Sequence, residues 1–161
     1  MSNSERFDQK ELEKLRSLIK GIDTAMLTTM TDEGLVSRPM KTQEVEFDGD
    51  LWFFTKKDTD KFHEVLQNQE VNVAYAGKSY VSVRGKAEIV ESLDKKKELW
   101  NAAYEKLLKT SYDDPNVVLL KVEVESAEYW ESGNLMKMVV HLFNRAAGKE
   151  KDTANINQTI D

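Results

Sequence analysis

Hydrophobic and polar positions alternate along most of this chain with the two-residue period of β-strands, and helical periodicity is confined to short stretches. Apolar, Thr-rich and aromatic runs bounded by turn residues predict six strands, at residues 24–30, 35–47, 51–55, 71–75, 80–90 and 117–130. Tight turns separate several of them, at Asp32-Glu33-Gly34, Asp48-Gly49 and Gly77-Lys78. Because such short connections join antiparallel neighbours, we expect strands 35–47 and 51–55 to lie side by side.

Helical spacing first predicts a helix at the start of the chain. Asp8 can cap it, Glu11 completes a capping box, and Gly21 ends it. Its buried stripe consists of Phe7, Leu15, Leu18 and Ile22. A second, short helix is expected after Thr59 or Asp58, either of which can cap it. The residues that this helix directs inward are Phe62, Val65 and Leu66.

Two more helices are predicted in the second half of the chain. The first is capped by Ser92 or Asp94 and continues through Leu107, until Asp113-Asp114-Pro115 breaks it. The second covers roughly residues 134–147 and ends at Gly148. Its apolar face consists of Leu135, Met138, Val139, Leu142 and Phe143.

These elements predict a mainly β fold with peripheral helices, built as a small antiparallel barrel. A chain of 161 residues is most naturally one domain, which we place at residues 1–148. The polar, aperiodic tail 149–161 is expected to be disordered. Pro39 cannot donate to a ladder, so it indicates an edge, a bulge or a break in pairing, and Gly85 indicates a bulge where the alternation slips.

The composition of the chain excludes several kinds of functional site. The chain has no Cys, which excludes disulfides, thiolate nucleophiles and Cys-based metal sites. A net charge of −6 opposes general nucleic-acid binding, which needs a basic surface. His63 and His141 lie in no metal-binding or catalytic spacing. No run reaches the length of a membrane span, and the first residues form no secretory signal, so we expect a cytoplasmic protein.

Four residues suggest a phosphate site: Arg38, Thr55, Thr59 and Lys61. In an acidic protein an anion must be held by local donors of this kind. Apolar and aromatic residues beside them could form a wall for a flat ring, and they include Pro39, Met40 and Phe54. A phosphorylated, ring-bearing ligand is therefore the first hypothesis, and flavin mononucleotide (FMN) fits it best.

Simpler interpretations stay open for each residue. Arg38 could pair with a surface carboxylate, and Lys61 could be a solvated helix lysine. Thr55 could serve only the strand end, and Thr59 could only cap a helix. The strand aromatics Trp52, Phe53 and Phe54 are mostly expected in the core.

The order of several short motifs adds a resemblance. Met-Leu-Thr-Thr, Gly-x-x-x-Arg-Pro-Met, Trp-Phe-Phe-Thr, Lys61 and Tyr-Val-Ser-Val-x-Gly follow the first helix in this order. Over about residues 5–148 the chain resembles the pyridoxamine 5′-phosphate oxidase-like family, and within it the general stress protein 26 branch. The resemblance implies a six-stranded antiparallel split β-barrel that binds FMN.

The resemblance also implies a homodimer with two FMN sites at the subunit interface. Arg38, Pro39 and Met40 would line the flavin, while Thr55, Thr59 and Lys61 would receive its phosphate at the start of a helix. The partner subunit would contribute Tyr80, Val81, Ser82 and Trp130, although dimer packing is an equally good interpretation of Trp130.

Two functions follow. The first is a flavin-dependent oxidoreductase with a nicotinamide donor and an unidentified acceptor. The second is a non-catalytic flavin-binding module for buffering, sensing or stress protection. Oxidation of pyridoxamine 5′-phosphate is not expected, because Gln43 stands where the oxidase has a lysine for the substrate phosphate. Asp60-Lys61 replaces its Arg-Lys pair, and nothing after Trp130 matches its Arg-Leu-His-Asp-Arg motif.

Overall fold

The computed structural model describes residues 8–43, 48–131, 136–140 and 158–159, the last two segments as backbone only. These residues contain four helices: α1 Gln9–Ile19, α2 Asp60–Gln67, α3 Leu93–Leu99 and α4 Ala102–Leu108. The same part of the chain contains eight strands: β1 Thr24–Thr31, β2 Gly34–Lys41, β3 Asp50–Lys56, β4 Glu70–Ala76, β5 Ser79–Val90, β6 Val117–Glu131, β7 Met136–Val140 and β8 Gln158–Thr159. None of the described helices is long and apolar enough to cross a membrane.

The strands form one antiparallel sheet in the order β2-β1-β4-β5-β6-β7-β8, with β3 paired to β6. Strands β1 to β6 curl into a half-barrel with helices outside, which confirms the predicted split barrel. The expected pairing of β2 with β3 is wrong: in the described residues β2 pairs with β1, and β3 pairs with β6 from Asp50↔Glu123 to Lys56↔Val117. Where both strands are described, β2 and β3 are not paired with each other, and they form the two ends of the curled sheet of β1 to β6.

Helix α1 begins and ends where the sequence predicts. The Asp8 carboxylate accepts hydrogen bonds from the backbone N–H of Lys10 at 2.8 Å and of Glu11 at 3.4 Å, so it caps the helix. Gly21 follows the helix with φ +83°, a conformation that glycine adopts without strain. Leu12 and Leu15 are buried in the barrel core, which fixes α1 across it.

The predicted irregularities of the strands are confirmed. The register between β5 and β6 shifts between Arg84 and Gly85, as a bulge requires. A Cβ at Gly85 would collide with the Glu123 carbonyl oxygen, so glycine allows the two backbones to approach. Pro39 lies in β2, an edge strand, where the missing N–H breaks no inner ladder.

Among the residues with described side chains, two buried clusters hold the fold together. The larger fills the barrel and includes Leu27, Phe53 and Val122. The smaller lies outside the barrel wall, between β3 and the two short helices, and includes Phe54 and Tyr104. Alternation along β3 explains the division, because Phe53 and Phe54 point to opposite faces of the sheet.

Two helix predictions need correction. The helix expected from Ser92 through Leu107 is two helices, broken at Trp100 and Asn101. The Asn101 side chain accepts from the N–H of Ala103 at 2.9 Å and so starts a new helix. Leu66 was expected inside, but it is 61% exposed and only Val65 of α2 is buried.

The helix expected at 134–147 is also wrong where the structure describes it. Met136–Val140 is strand β7, which pairs with the end of β6 from Glu131↔Met136 to Ala127↔Val140. Val139 and Val140 are β-branched and favour an extended backbone, and the free edge of β6 supplies their partner. The predictions for Phe7, residues 141–148 and His141 lie outside the described residues. So does the tail 149–161, except for the two residues of β8.

Candidate functional site

The side chain of Arg38 lies on the inner face of β2. Its register partner on β1 is Leu27, which is fully buried, and the next inner residue, Met40, is buried as well. Pro39 points to the outer face, opposite Met26, and is exposed. The Arg-Pro-Met segment thus presents a cation to one face and an apolar ring to the other.

The Arg38 guanidinium is held by a carboxylate. Arg38 Nη1 donates to Glu64 Oε1 at 2.7 Å, and the buried hydroxyl of Thr29 donates to the same oxygen at 2.7 Å. The hydrogen bond from Arg38 lowers the pKa of Glu64, and the Thr29 hydroxyl lowers it further against the cost of burial. Neither Glu64 nor Thr29 is predicted from the sequence, whereas a carboxylate partner of Arg38 is one of the interpretations left open there.

Lys61 lies three residues before Glu64 on α2 and adds a second cation. Burial lowers the pKa of Lys61, and repulsion by Arg38 lowers it further, while Glu64 and Asp60 act in the opposite direction. The two cations are therefore close enough to repel each other. Two neighbouring cations attract an anion, and their mutual repulsion is unfavourable when no anion is bound.

The two threonines predicted for the phosphate lie together where β3 ends and α2 begins. Their hydroxyl oxygens are 3.3 Å apart, and Thr55 is buried. The Thr59 hydroxyl donates to the Lys56 carbonyl at 2.7 Å and makes no capping bond to α2. The first N–H groups of α2 therefore donate no capping hydrogen bond to the side chain of Thr59 and are available to a ligand.

The residues expected from a partner subunit line a cavity of about 260 Å³ on the outer face of the sheet. Its walls include Tyr80, Val81, Ser82 and Trp130, with Met26 and Ala74 on the neighbouring strands β1 and β4. Asn72 Nδ2 donates to Ser82 Oγ at 2.9 Å and fixes that hydroxyl. Arg38 and Lys61 do not line this cavity, so within the described part of one chain the predicted residues fall into two groups.

Phe54 belongs to neither group. Its ring packs 4.9 Å from that of Trp100 and 4.7 Å from that of Tyr104, in the smaller core cluster. The structure thus gives Phe54 a packing environment, and a contact with a ligand stays a prediction. Its neighbours Thr55 and Phe53 lie on the other side of β3.

A second cavity, of about 330 Å³, was not expected from the sequence. It lies beyond the C-terminal end of α1 and is lined by Arg16, Ile19, Lys20, Gly21, Ile22, Asp23, Thr42, Gln43, Asp50, Leu51, Trp52, Phe53 and Tyr75. These residues come from four separate stretches of chain, and no local pattern predicts that they meet. Burial raises the pKa of Tyr75, which lines both cavities.

Comparison with known proteins identifies the family. The family described as "Pyridoxamine 5′-phosphate oxidase like" matches residues 10–153, nearly the whole chain. The chain belongs to this family. The resemblance inferred from the motif order is therefore confirmed.

Individual relatives within this family are general stress proteins. General stress protein 26 of Bacillus subtilis is 33% identical over 85 residues, which span 49% of this chain and 60% of that protein. The crystal structure of general stress protein 26 from Bacillus anthracis is 27% identical, with a TM-score of 0.65, covering 74% of this chain and 92% of the other. A general stress FMN/FAD binding protein from Xanthomonas citri is 26% identical, with a TM-score of 0.67, covering 78% and 92%.

Proposed function

We propose that this family member binds a flavin, most specifically FMN, with the phosphate at Arg38 and Lys61. The observation that carries the proposal is that two cations from separate elements adjoin one carboxylate: Arg38 Nη1 lies 2.7 Å from Glu64 Oε1, and Lys61 lies three residues before Glu64 on α2. Thr59 adds a hydroxyl in the residue before α2, and the uncapped start of that helix adds backbone N–H donors. In a chain of net charge −6, these local donors favour an anion.

The flavin ring would lie against Pro39 on the outer face of β2, and Met40, whose side chain is buried on the inner face, would contribute through its backbone. The second wall is proposed to come from another copy of the chain, through the outer cavity that contains Tyr80, Ser82 and Trp130. Two observations support this arrangement: the outer cavity lacks Arg38 and Lys61, and its rim is apolar and open, with Tyr80 55% and Met26 40% exposed. The homodimer and the cytoplasmic location stay predictions.

The similarity to the Xanthomonas citri protein supports flavin as the ligand. A bound flavin supplies electron and hydride transfer, and the residues of this chain bind it, orient it and exclude water. We propose on this basis an oxidoreductase that takes electrons from a nicotinamide donor. No acid–base residue of the chain is needed for that exchange.

A non-catalytic flavin-binding module is the second candidate. One observation favours it: the polar side chains among the described residues of the outer cavity are hydroxyls and the Trp130 indole, with no carboxylate, lysine, arginine or histidine. Such a lining can hold a ring without recognising a charged second substrate. Flavin would then be stored or sensed rather than turned over.

Anaerobic reduction separates the two candidates. NADH or NADPH is added to the flavin-loaded protein, and the flavin absorption at about 450 nm is followed. Rapid bleaching with either donor supports the oxidoreductase, and a stable spectrum with both supports the binding module. Absence of any bound flavin after incubation with excess FMN, riboflavin and FAD would contradict both.

A further inference from the structure

Glu64 contacts Arg38, one of the two cations of the proposed phosphate site, and lies three residues after the other, Lys61, on α2. One of its carboxylate oxygens accepts from both Arg38 Nη1 and Thr29 Oγ1, each at 2.7 Å. The side chains of Arg38 and Glu64 are 21% and 18% exposed, so the pair is only weakly screened by solvent. The negative charge of the same carboxylate raises the pKa of Lys61, in opposition to burial and to Arg38, which lower it.

This geometry gives Glu64 two opposing effects on an incoming phosphate. Its hydrogen bond orients the guanidinium, which would favour binding. Its negative charge lies within a few ångströms of the place where a second anion would approach Arg38, which would oppose binding. A guanidinium has five N–H donors in a fixed fork, so Arg38 can contact a phosphate without leaving Glu64, and the repulsion then persists in the complex.

We infer that Glu64 limits the affinity of this site for phosphate, acting as a built-in counter-anion beside Arg38 and Lys61. The inference rests on the proposed function, since it concerns the site where we place the flavin phosphate. Arg38 and Lys61 carry two positive charges, and Glu64 with the exposed Asp60 next to Lys61 carries two negative ones, so only neutralisation of Glu64 leaves a net positive charge for a dianionic group. The site is thus set for reversible binding of a phosphorylated flavin.

Glu64→Gln separates charge from position. The glutamine oxygen can accept from both Arg38 and Thr29, so the hydrogen bonds are kept and only the negative charge is lost. If Glu64 acts as a counter-anion, Glu64→Gln binds FMN more tightly. If Glu64 acts only by holding Arg38 in place, the charged hydrogen bond is weakened and Glu64→Gln binds FMN less tightly.

The experiment measures the Kd of FMN and of riboflavin, which lacks the phosphate, by flavin fluorescence quenching. We expect Glu64→Gln to bind FMN about ten-fold more tightly than wild type, as a partly screened charge at this range implies. Riboflavin affinity should not change. Glu13→Gln, an equal charge change at an exposed position on α1, should leave both unchanged. Equal or weaker FMN binding by Glu64→Gln would overturn the inference, and so would an equal gain for riboflavin.

Failure of the proposed function gives a different result. If wild type and Glu64→Gln bind neither flavin, flavin binding is wrong, and the role of Glu64 is then decided with inorganic phosphate. The rise in Tm on addition of phosphate is measured for the wild type, Glu64→Gln and Glu13→Gln. A larger rise in Glu64→Gln alone supports the inference, and equal rises in all three overturn it.

Discussion

Lys96 on α3 donates through its ammonium group to the backbone carbonyl of Val117 at 2.8 Å, at the first residue of β6. A longer bond of 3.4 Å reaches the carbonyl of Asp114. The side chain is buried although it lies in a run of three lysines that resembles a solvated helix face. Lys96 therefore connects the short helices to the central strand of the barrel.

We predict that Lys96→Met lowers the free energy of unfolding by about 1.5–3 kcal/mol, since hydrogen bonds of a charged donor are lost and buried carbonyls lose their partner. Lys97→Met is the matched control, because Lys97 is exposed on the same helix. Urea denaturation of both variants and of the wild type checks this. Equal midpoints for the two variants would show that Lys96 has no special role.

The sequence predicts the elements of the barrel far better than their pairing. Strands β4, β5 and β6 are found within one or two residues of prediction, because alternation is a local property. The pairing of β3 is not local, since its partner β6 starts 61 residues after the end of β3. A hairpin signal at Asp48-Gly49 could not reveal that preference. Strand β7 was missed similarly, because its extended backbone depends on the edge of β6.

The candidate site shows the same limit. Arg38 and Lys61 could be proposed from residue type and motif order. Glu64 could not, because three residues after a lysine on a helix it looks like part of an ordinary surface ion pair. The register of β1 with β2 and the packing of α2 against β1 bring Arg38 and Thr29, which lie 26 and 35 residues away in sequence, to the same carboxylate oxygen.

We predict that Lys61→Ala and Arg38→Ala each weaken FMN binding about ten- to hundred-fold, because a charged contact to phosphate contributes about 1.5–3 kcal/mol. Lys57→Ala is the control, since Lys57 pairs with Glu91 at the surface, 2.9 Å away. Isothermal titration measures the affinity of each variant for FMN and for riboflavin. Only the affinity for FMN should fall, because riboflavin has no phosphate. Unchanged FMN affinity in both site variants would show that the phosphate does not bind at Arg38 and Lys61.

Acid stability should depend on Glu64. Its pKa in the folded protein is lowered from the usual 4.5 by Arg38 and Thr29. The ionised contact therefore stabilises the fold above that usual value, and the stabilisation is lost as the pH falls through the lower, folded-state pKa. The difference in free energy of unfolding between wild type and Glu64→Gln should be constant near neutral pH and should shrink as the pH falls below 4.5. If the difference in free energy of unfolding does not change with pH, ionisation of Glu64 does not contribute to stability.

The outer face of β1 and β5 is predicted to be a dimer interface. Met26 and Tyr80 are both exposed apolar residues at a cavity that needs a second wall in the proposed site. Light scattering at micromolar concentration should give a dimer for wild type and a monomer for Met26→Glu. Leu107→Glu, at an exposed apolar position on α4, should stay dimeric. A wild-type monomer that binds FMN tightly would show that one chain completes the site.

The protein is predicted not to oxidise pyridoxamine 5′-phosphate at a useful rate. Gln43, which stands in place of the oxidase lysine, is neutral and donates to the Tyr104 hydroxyl at 2.6 Å, and that hydroxyl donates to the Thr42 carbonyl at 2.9 Å. The side chain is thus engaged with α4. Loss of a cation facing a dianionic substrate removes about 1.5–3 kcal/mol of transition-state binding for each contact.

Pyridoxal 5′-phosphate formation by the FMN-loaded protein, followed by its absorbance, checks this prediction. Gln43→Lys tests whether a lysine at position 43 is sufficient by itself to give oxidase activity. We expect the variant to stay inactive as well, because the lysine would restore one cation while the Arg-Leu-His-Asp-Arg motif after Trp130 would still be missing. Since Gln43 also holds Tyr104, which packs against Phe54, the Tm of the variant should fall while its oxidase activity does not rise. Steady product formation by the wild type at a rate comparable with a dedicated oxidase would show that neither a lysine at position 43 nor the Arg-Leu-His-Asp-Arg motif is required.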